Sequence, residues 1–395
     1  MRHVPDSERR HRIAVRHAIA PAHRVADAVA ATRAMTVLHA TEPATVYLSL
    51  RARVSGLRLA DVDRALYDDR TLVKQLAMRR TLFVFPVDLL PAAWGSASAR
   101  VAEQEWRRTV KDLAASGAAE DAEARLRGGC DAVLDALTRT GGLSAGDLAR
   151  EAPEVAGRIA VGVGTTWGGE IPLAPRVLTC LGAAGRVVRG GNAGAWRSSR
   201  PTWTATADWL GGPGAVPEPC PPREGYAELV RRWLGTFGPG TLRDLQWWLG
   251  STVSAARQAL ADNAAVEVSL DRSETGWLLP DDLDRVPEPE PWAALLPVLD
   301  PTVMGWKQRG FYLGDLEPQL FDRNGNAGTT AWWGGRAVGC WLQEPDGRVV
   351  VVPVGDPGRE ARAALEVEAD RLGEWLAGER VGTVYPSALM KQRAR

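Results

Sequence analysis

The sequence predicts an α+β protein built from tandem winged-helix units, each a helix-turn-helix followed by a β-wing, with a β-rich segment and a helix at the C-terminal end. The chain has 395 residues, which is too long for one hydrophobic core, so two or three domains are expected. Three stretches also repeat one loose pattern, in which helices, a tight turn and a further helix lead into a β-rich segment. The pattern predicts a first winged helix over 1–86, a helical linker over 87–139, a second winged helix over 140–210, a third over 224–290 and a C-terminal segment over 291–395.

The first stretch contains helices predicted over 7–20, 24–35 and 43–54. Val46, Leu50 and Val54 are spaced to share one face of the last of these helices. Residues 81–85, Thr-Leu-Phe-Val-Phe, are rich in β-forming side chains and precede Pro86, which predicts a strand that ends there.

The second stretch opens at Ser144, a good N-cap for a short helix. A further helix is predicted over 171–184, and a strand follows Gly185. Residues 211–222, rich in Gly and Pro, form the clearest linker of the chain.

The third stretch has the most complete winged-helix order. Thr241 is predicted to cap a helix over 242–249. The other elements predicted here are helices over 226–237 and 251–261 and wing strands over 266–270 and 276–280. Beyond them, two strands over 331–341 and 348–354 flank a Pro-Asp-Gly turn, and a helix over 359–376 closes the chain.

Composition excludes several classes of protein. The formal net charge is zero, so a nucleic-acid surface would require an uneven distribution of charge. No apolar run approaches the roughly 18 residues that cross a bilayer, and the polar first ten residues lack a signal core, which predicts a cytoplasmic protein with no membrane partner. The four cysteines and five histidines show no metal-ligand spacing. The glycine-rich stretch 162–168 lacks the Lys-Ser/Thr ending of a nucleotide-binding loop, so neither a metal nor another cofactor is expected.

Several local motifs carry a resemblance to a known family. They are the segments Leu295-Leu-Pro-Val-Leu-Asp-Pro301, Gly305-Trp-Lys-Gln-Arg309, Phe321-Asp-Arg-Asn-Gly-Asn326, Trp332-Trp-Gly-Gly-Arg-Ala-Val-Gly339 and Gly238-Pro-Gly-Thr-Leu-Arg-Asp-Leu245. With these motifs the chain resembles the AlkZ/YcaQ family of winged-helix DNA glycosylases over nearly its whole length.

The resemblance implies three winged-helix units around a DNA-binding channel. It further implies a monomer that acts on double-stranded DNA, in the nucleoid, and hydrolyses the N-glycosidic bond of bulky alkylated or cross-linked purines. The family's motif is Gln-x-Gln or Gln-x-Asp, just before a helix of the first unit. The matching positions here are His39 and Thr41.

These residues can be related to the chemistry of the reaction. An N7-alkylated purine is already cationic and leaves readily, so the enzyme has mainly to position a water at C1′. A neutral histidine at position 39 can accept a proton from that water, and Thr41 can offer a hydroxyl. In an extended segment the two side chains face the same way. Alternatively, His39 contacts a phosphate or a buried carbonyl, and Thr41 is an N-cap. Glu42 is then either the general base or a favourable charge at the helix dipole.

Six cations are candidates for DNA contact, because they lie in or beside the predicted first wing and helix or in the motif around residue 307. They are Arg51, Arg53, Arg79, Arg80, Lys307 and Arg309. The alternative for each is an ordinary solvated surface charge. Two other functions remain open at this stage: a non-catalytic DNA-binding regulator or lesion sensor, and a scaffold whose winged helices bind proteins.

Overall fold

The computed structural model describes residues 1–117, 120–166 and 168–393. Trp167, within the glycine-rich stretch 162–168, lies outside the described residues. The helices are α1 Asp6–Arg16, α2 Ala28–Ala34, α3 Pro43–Arg53, α4 Leu59–Asp63, α5 Leu90–Gly95, α6 Ala97–Ala115, α7 Ala122–Thr140, α8 Ala145–Glu151, α9 Ala174–Ala183, α10 Thr206–Trp209, α11 Pro222–Phe237, α12 Leu242–Leu249, α13 Val253–Asp262, α14 Pro301–Met304, α15 Gly310–Leu313, α16 Glu317–Leu320, α17 Arg359–Leu376 and α18 Ala388–Arg393. The strands are β1 His3–Val4, β2 Leu38–His39, β3 Leu72–Ala77, β4 Thr81–Pro86, β5 Arg158–Val161, β6 Gly169–Pro172, β7 Val187–Asn192, β8 Pro201–Ala205, β9 Val266–Leu270, β10 Thr275–Leu278, β11 Ala293–Leu296, β12 Thr330–Trp333, β13 Arg336–Gln343 and β14 Val349–Pro353.

The mixture of helices and small sheets confirms the predicted α+β class. The chain divides into two compact units, one formed by residues 1–65 with 227–395 and the other by residues 66–226. The first boundary falls inside the predicted segment 1–86. The five predicted segments, and their assignment as winged helices, stay predictions.

The discontinuous unit contains a four-stranded antiparallel sheet in the order β11-β12-β13-β14. Helix α17 packs against this sheet, with Leu365 and Leu372 buried. The closing helix coincides with the predicted range 359–376. The strand predicted over 331–341 is instead two strands, because Gly334 and Gly335 adopt positive φ values of 53° and 80° and turn the chain between β12 and β13.

The same unit contains the third stretch from residue 227 onward. Thr241 caps α12, since its hydroxyl accepts a hydrogen bond from the amide of Asp244, whose carboxylate in turn accepts one from the amide of Thr241. The prediction of α12 is confirmed, and β9 coincides with the predicted first wing strand. Strand β9 pairs with β10 antiparallel and with the N-terminal β1 parallel.

The unit of residues 66–226 contains helices together with the antiparallel hairpins β3-β4, β5-β6 and β7-β8. Its apolar core includes Leu126 and Val133 of α7 with Val177 and Leu178 of α9. The helix predicted over 171–184 begins only at Ala174, because residues up to Pro172 pair as strand β6. Strand β3 had no counterpart among the predicted elements. Among the described residues, no helix is both long and apolar enough to span a bilayer.

Candidate functional site

The segment from His39 to Glu42 joins the short strand β2 to helix α3. His39 is buried, with 7% of its surface exposed, while Thr41 is exposed. The Thr41 Oγ1 lies 3.3 Å from the His39 Nδ1, within hydrogen-bonding distance. The two side chains therefore face the same way, as the extended spacing predicted. This contact involves the Nδ1 nitrogen of His39.

Thr41 does not cap the helix, and this alternative is wrong. Helix α3 begins with Pro43, and Glu42 occupies the N-cap position without a side-chain capping bond. A proline at the first helical position has a suitable φ and needs no hydrogen-bond acceptor. The start of the helix is therefore fixed by Pro43, one residue later than a threonine cap would require.

Glu42 is hydrogen-bonded to the C-terminal part of the discontinuous unit. Its Oε1 accepts hydrogen bonds from the Val384 amide at 2.6 Å and from the Thr383 hydroxyl at 2.8 Å. Burial raises the pKa of Glu42, and the two hydrogen bonds act in the opposite direction. A carboxylate with a raised pKa is a stronger base than an exposed one.

A cavity of about 640 Å³ lies beside Glu42. Its lining combines buried apolar side chains, such as Leu48 and Trp341, with the exposed cations Arg380 and Lys391. Because Glu42 and Glu344 also line it, the cavity could hold a largely apolar group with a polar end.

Helix α3 is anchored along one face by side chains at a spacing of four residues. The Thr45 hydroxyl donates to the Val298 carbonyl at 3.0 Å, and the Ser49 hydroxyl donates to Asp300 Oδ2 at 2.7 Å. Arg53 donates from its two terminal nitrogens to both oxygens of Asp300, at 2.9 and 2.7 Å. These bonds fix the helix that follows the His39–Glu42 segment.

Two of the six arginines and lysines predicted to contact DNA are buried, and for these two the prediction is wrong. The Arg53 side chain is fully buried in its ion pair with Asp300. Arg309 is 3% exposed, donates from Nε to the Trp306 carbonyl at 2.8 Å and packs over the Phe321 ring. Neither guanidinium can reach a phosphate from its position, so both residues stabilise the fold instead.

Arg51 lies in a cluster that sequence reasoning missed. Three arginines, Arg24, Arg51 and Arg371, lie within 3.7 Å of the Glu368 carboxylate. Burial lowers the pKa of Arg51 to about 10, against the opposing effect of Glu368, which leaves the side chain charged at neutral pH. Arg24 and Arg51 are far from Glu368 in the sequence, and no local signal links them to it, whereas Arg371 follows Glu368 by three residues on α17.

The remaining predicted contacts are accessible to different degrees. Arg79 and Arg80 form the turn of the β3-β4 hairpin with positive φ values of 55° and 59°. Arg80 is exposed and pairs through Nε with Glu105 at 2.9 Å, whereas Arg79 is half-buried. The exposed Lys307 donates its backbone N–H to Asp244 at 2.8 Å. A role of these three residues in DNA binding stays a prediction.

Comparison with known proteins places this fold in a family. The model of the family described as "DNA glycosylase AlkZ-like" matches residues 32–375. Among solved structures, Streptomyces sahachiroi DNA glycosylase AlkZ is similar, with a TM-score of 0.73 and 17% sequence identity over 96% of this chain and 99% of that chain. At this identity the structural likeness shows the fold alone, and none of the curated proteins matches. Because the family model spans most of the sequence, the chain belongs to the AlkZ-like DNA glycosylase family.

Proposed function

We propose that this protein is a monomeric DNA repair glycosylase that uses winged-helix units to bind double-stranded DNA and hydrolyses the N-glycosidic bond of bulky alkylated or cross-linked purines. Membership of the family supports glycosylase chemistry on DNA. The observation that carries the assignment of the site is the 3.3 Å contact between His39 and Thr41, directly ahead of α3.

In the proposed reaction His39 acts as the general base. If the Nδ1–H donates to the Thr41 hydroxyl, Nε2 is unprotonated and can accept a proton from water. The water oxygen then forms a bond to C1′ while the C1′–N9 bond breaks. The electron pair of the broken bond stays on N9 and neutralises the cationic N7-alkylated purine. Thr41 acts through His39 by selecting the tautomer, so it is a positioning residue.

Glu42 is the alternative base for the same step. Both of its hydrogen bonds fall on Oε1, and no described residue donates to Oε2. Its raised pKa favours proton acceptance near neutral pH. The pH profiles of variants at the two positions separate the candidates, because the acid-side decline disappears only when the base itself is replaced.

The cavity beside Glu42 supports a bulky substrate. It has about 640 Å³ of space and a largely apolar lining, so it could receive the substituent that a bulky lesion carries. A lesion with a methyl group alone would leave this space unfilled. We therefore expect faster excision of purines with large apolar substituents than of methylated purines.

Single-turnover excision from duplex DNA with one N7-alkylguanine tests the proposal. His39→Ala should reduce the excision rate by about 10²- to 10⁴-fold, the usual effect of losing a positioned base, with nearly unchanged DNA affinity. Thr41→Val removes the hydroxyl at similar volume and should give a smaller loss. His23→Ala, a change at a partly exposed histidine of the same unit, is the matched control. Spontaneous loss of the base without protein is subtracted.

A conservative variant and the pH profile separate the roles. His39→Gln installs the residue of the family motif, which can orient a water but cannot take its proton, so it should recover only part of the activity. Its excision rate should also lose the acid-side decline that protonation of an imidazole produces. If that decline persists in His39→Gln and disappears in Glu42→Gln, Glu42 is the base. A parent protein that binds duplex DNA but releases no base would instead be a lesion sensor or regulator.

A further inference from the structure

The unit of residues 66–226 contains a second, strongly basic cavity. It has a volume of about 220 Å³ and lies among β3, α9 and β7. Lys74, Arg80 and Arg189 line it, together with Thr179 and the ring of Trp203. None of the described residues in its lining is a carboxylate. The cavity therefore has three cations and no acidic side chain in its wall.

Arg189 is the residue in this cavity whose charge is least compensated. It is half-buried on β7, directly opposite Trp203 on β8, and its guanidinium lies 5.2 Å from the centre of that ring. Within the described parts of the chain, no ion pair or hydrogen bond engages its guanidinium. Burial alone lowers the pKa of Arg189. An arginine that is partly desolvated and has no ion pair gains stability from an anionic ligand.

The other two cations are held at the cavity by neighbouring side chains. The Lys74 ammonium donates to the Tyr67 hydroxyl at 2.7 Å. Arg80 pairs with Glu105, but Glu105 also lies 3.8 Å from Arg176. Arg176 lies closer to Asp112, at 3.2 Å, so Arg80 keeps Glu105 as its partner. Among the described residues that line the cavity, the positive excess therefore comes mainly from Arg189.

We infer that this cavity binds a phosphate group, which Arg189 would engage through two guanidinium N–H donors while Lys74 supplies a second positive charge. A planar guanidinium matches the oxygens of a phosphate in a bidentate contact. The phosphate could come from a DNA backbone or from a free phosphate ester, and only the first source rests on the proposed function. Among the residues of the cavity, the sequence predicted Arg80 alone as a DNA contact.

Salt-dependent binding of a short, undamaged duplex tests the DNA source. Each neutralised phosphate contributes about 0.9 to the slope of log K against log salt concentration. Arg189→Gln should weaken binding and reduce this slope by about 1, whereas Arg189→Lys should retain most of the slope. Arg127→Gln changes an exposed arginine of α7 that pairs with Glu123, and we expect it to leave the slope unchanged.

Titration of inorganic phosphate and of a nucleoside monophosphate, followed by calorimetry, tests the free source. Binding to the parent and to Arg127→Gln, but not to Arg189→Gln, would support the site, and an unchanged DNA slope would then assign it to a free phosphate ester. If neither ligand depends on Arg189 in a variant with the parent's melting temperature, the inference is overturned. Should Arg189→Gln fail to fold, Lys74→Met provides the same comparison. The duplex is undamaged, so absence of base excision would not affect this result.

Discussion

Replacing Arg53 with methionine removes one partner of a fully buried ion pair. The Arg53 and Asp300 side chains are both 0% exposed. The arginine also donates to the Ser49 carbonyl at 2.7 Å and to the Thr302 hydroxyl at 2.8 Å. Methionine fills much of the same volume without a charge, so the substitution leaves the Asp300 carboxylate buried and without its cation.

The structure sets the expected size of the effect. Breaking a buried pair by removing one partner costs about 3–5 kcal/mol, because the remaining charge is uncompensated. Asp300 keeps two hydrogen bonds in the variant, from the Ser49 hydroxyl at 2.7 Å and from the Thr302 amide at 2.9 Å. We therefore expect a loss of unfolding free energy near the lower end, about 3 kcal/mol at neutral pH. In the double variant Arg53→Met/Asp300→Asn the loss should be smaller, since no buried charge remains.

Acidification should narrow the difference in unfolding free energy between the parent and Arg53→Met. Burial raises the pKa of Asp300, but the ion pair with Arg53 and the hydrogen bonds outweigh it and hold this pKa below its ordinary value. A lowered pKa contributes stability above the unfolded-state pKa of about 3.9, and this stability is lost as the pH falls through the folded value. In Arg53→Met burial prevails and the pKa of Asp300 rises, so acid relieves the variant while it weakens the parent.

Urea unfolding, followed by the fluorescence of the 16 tryptophans, measures both effects at pH 7 and pH 4.5. Arg127→Met, at an arginine that is 66% exposed, is the matched control and should change stability by less than about 0.5 kcal/mol. A loss below about 1 kcal/mol for Arg53→Met, or a gap that widens in acid, would refute the assignment of Arg53 to a buried, stabilising pair.

Two further predictions concern the same unit. Burial lowers the pKa of His17 to about 3, so the folded protein keeps this ring neutral while the unfolded chain protonates it below about pH 6.5. The free energy of unfolding should therefore fall by about 1.4 kcal/mol per pH unit below pH 6.5. Urea unfolding between pH 6.5 and 5 should show a shallower fall for His17→Gln than for the parent. A Cβ at Gly240 would overlap the buried ring of Trp233. Gly240→Ala should therefore reduce the free energy of unfolding by about 1–3 kcal/mol and lower the melting temperature. The control is Gly235→Ala, which should not lower the melting temperature because nothing lies within 4 Å of the new Cβ.

Local signals were sufficient where a structure depends on neighbours in the sequence. The cap at Thr241 and helix α12 were predicted from one threonine ahead of a periodic segment, and both are confirmed. The cap at Thr41 was wrong for a reason that is equally local. Pro43 fits the first helical position so well that it sets the start of α3 and places Glu42 at the N-cap.

Burial of individual arginines could not be predicted in this way. Arg53 looks like the cationic end of an amphipathic helix, and its partner Asp300 lies 247 residues away. The polar residues Thr45, Ser49 and Arg53, spaced by four, were a signal of a second face, but polar faces normally contact solvent. Only the tertiary fold distinguishes a solvated face from one that pairs with a buried carboxylate.

These distant partners explain why the candidate site depends on both ends of the sequence. Helix α3 is fixed at its start by residues 383–384 through Glu42, and along its length by Val298 and Asp300. All of these partners belong to the C-terminal part of the discontinuous unit. In a chain that ended after the first predicted segment, Thr45, Ser49 and Arg53 would either be buried without partners or be exposed to water. In either case α3, the helix that follows His39 and Thr41, would lose the bonds that fix its position. The geometry of this pair is therefore a property of the discontinuous unit, and the motif cannot be transferred with its own segment alone.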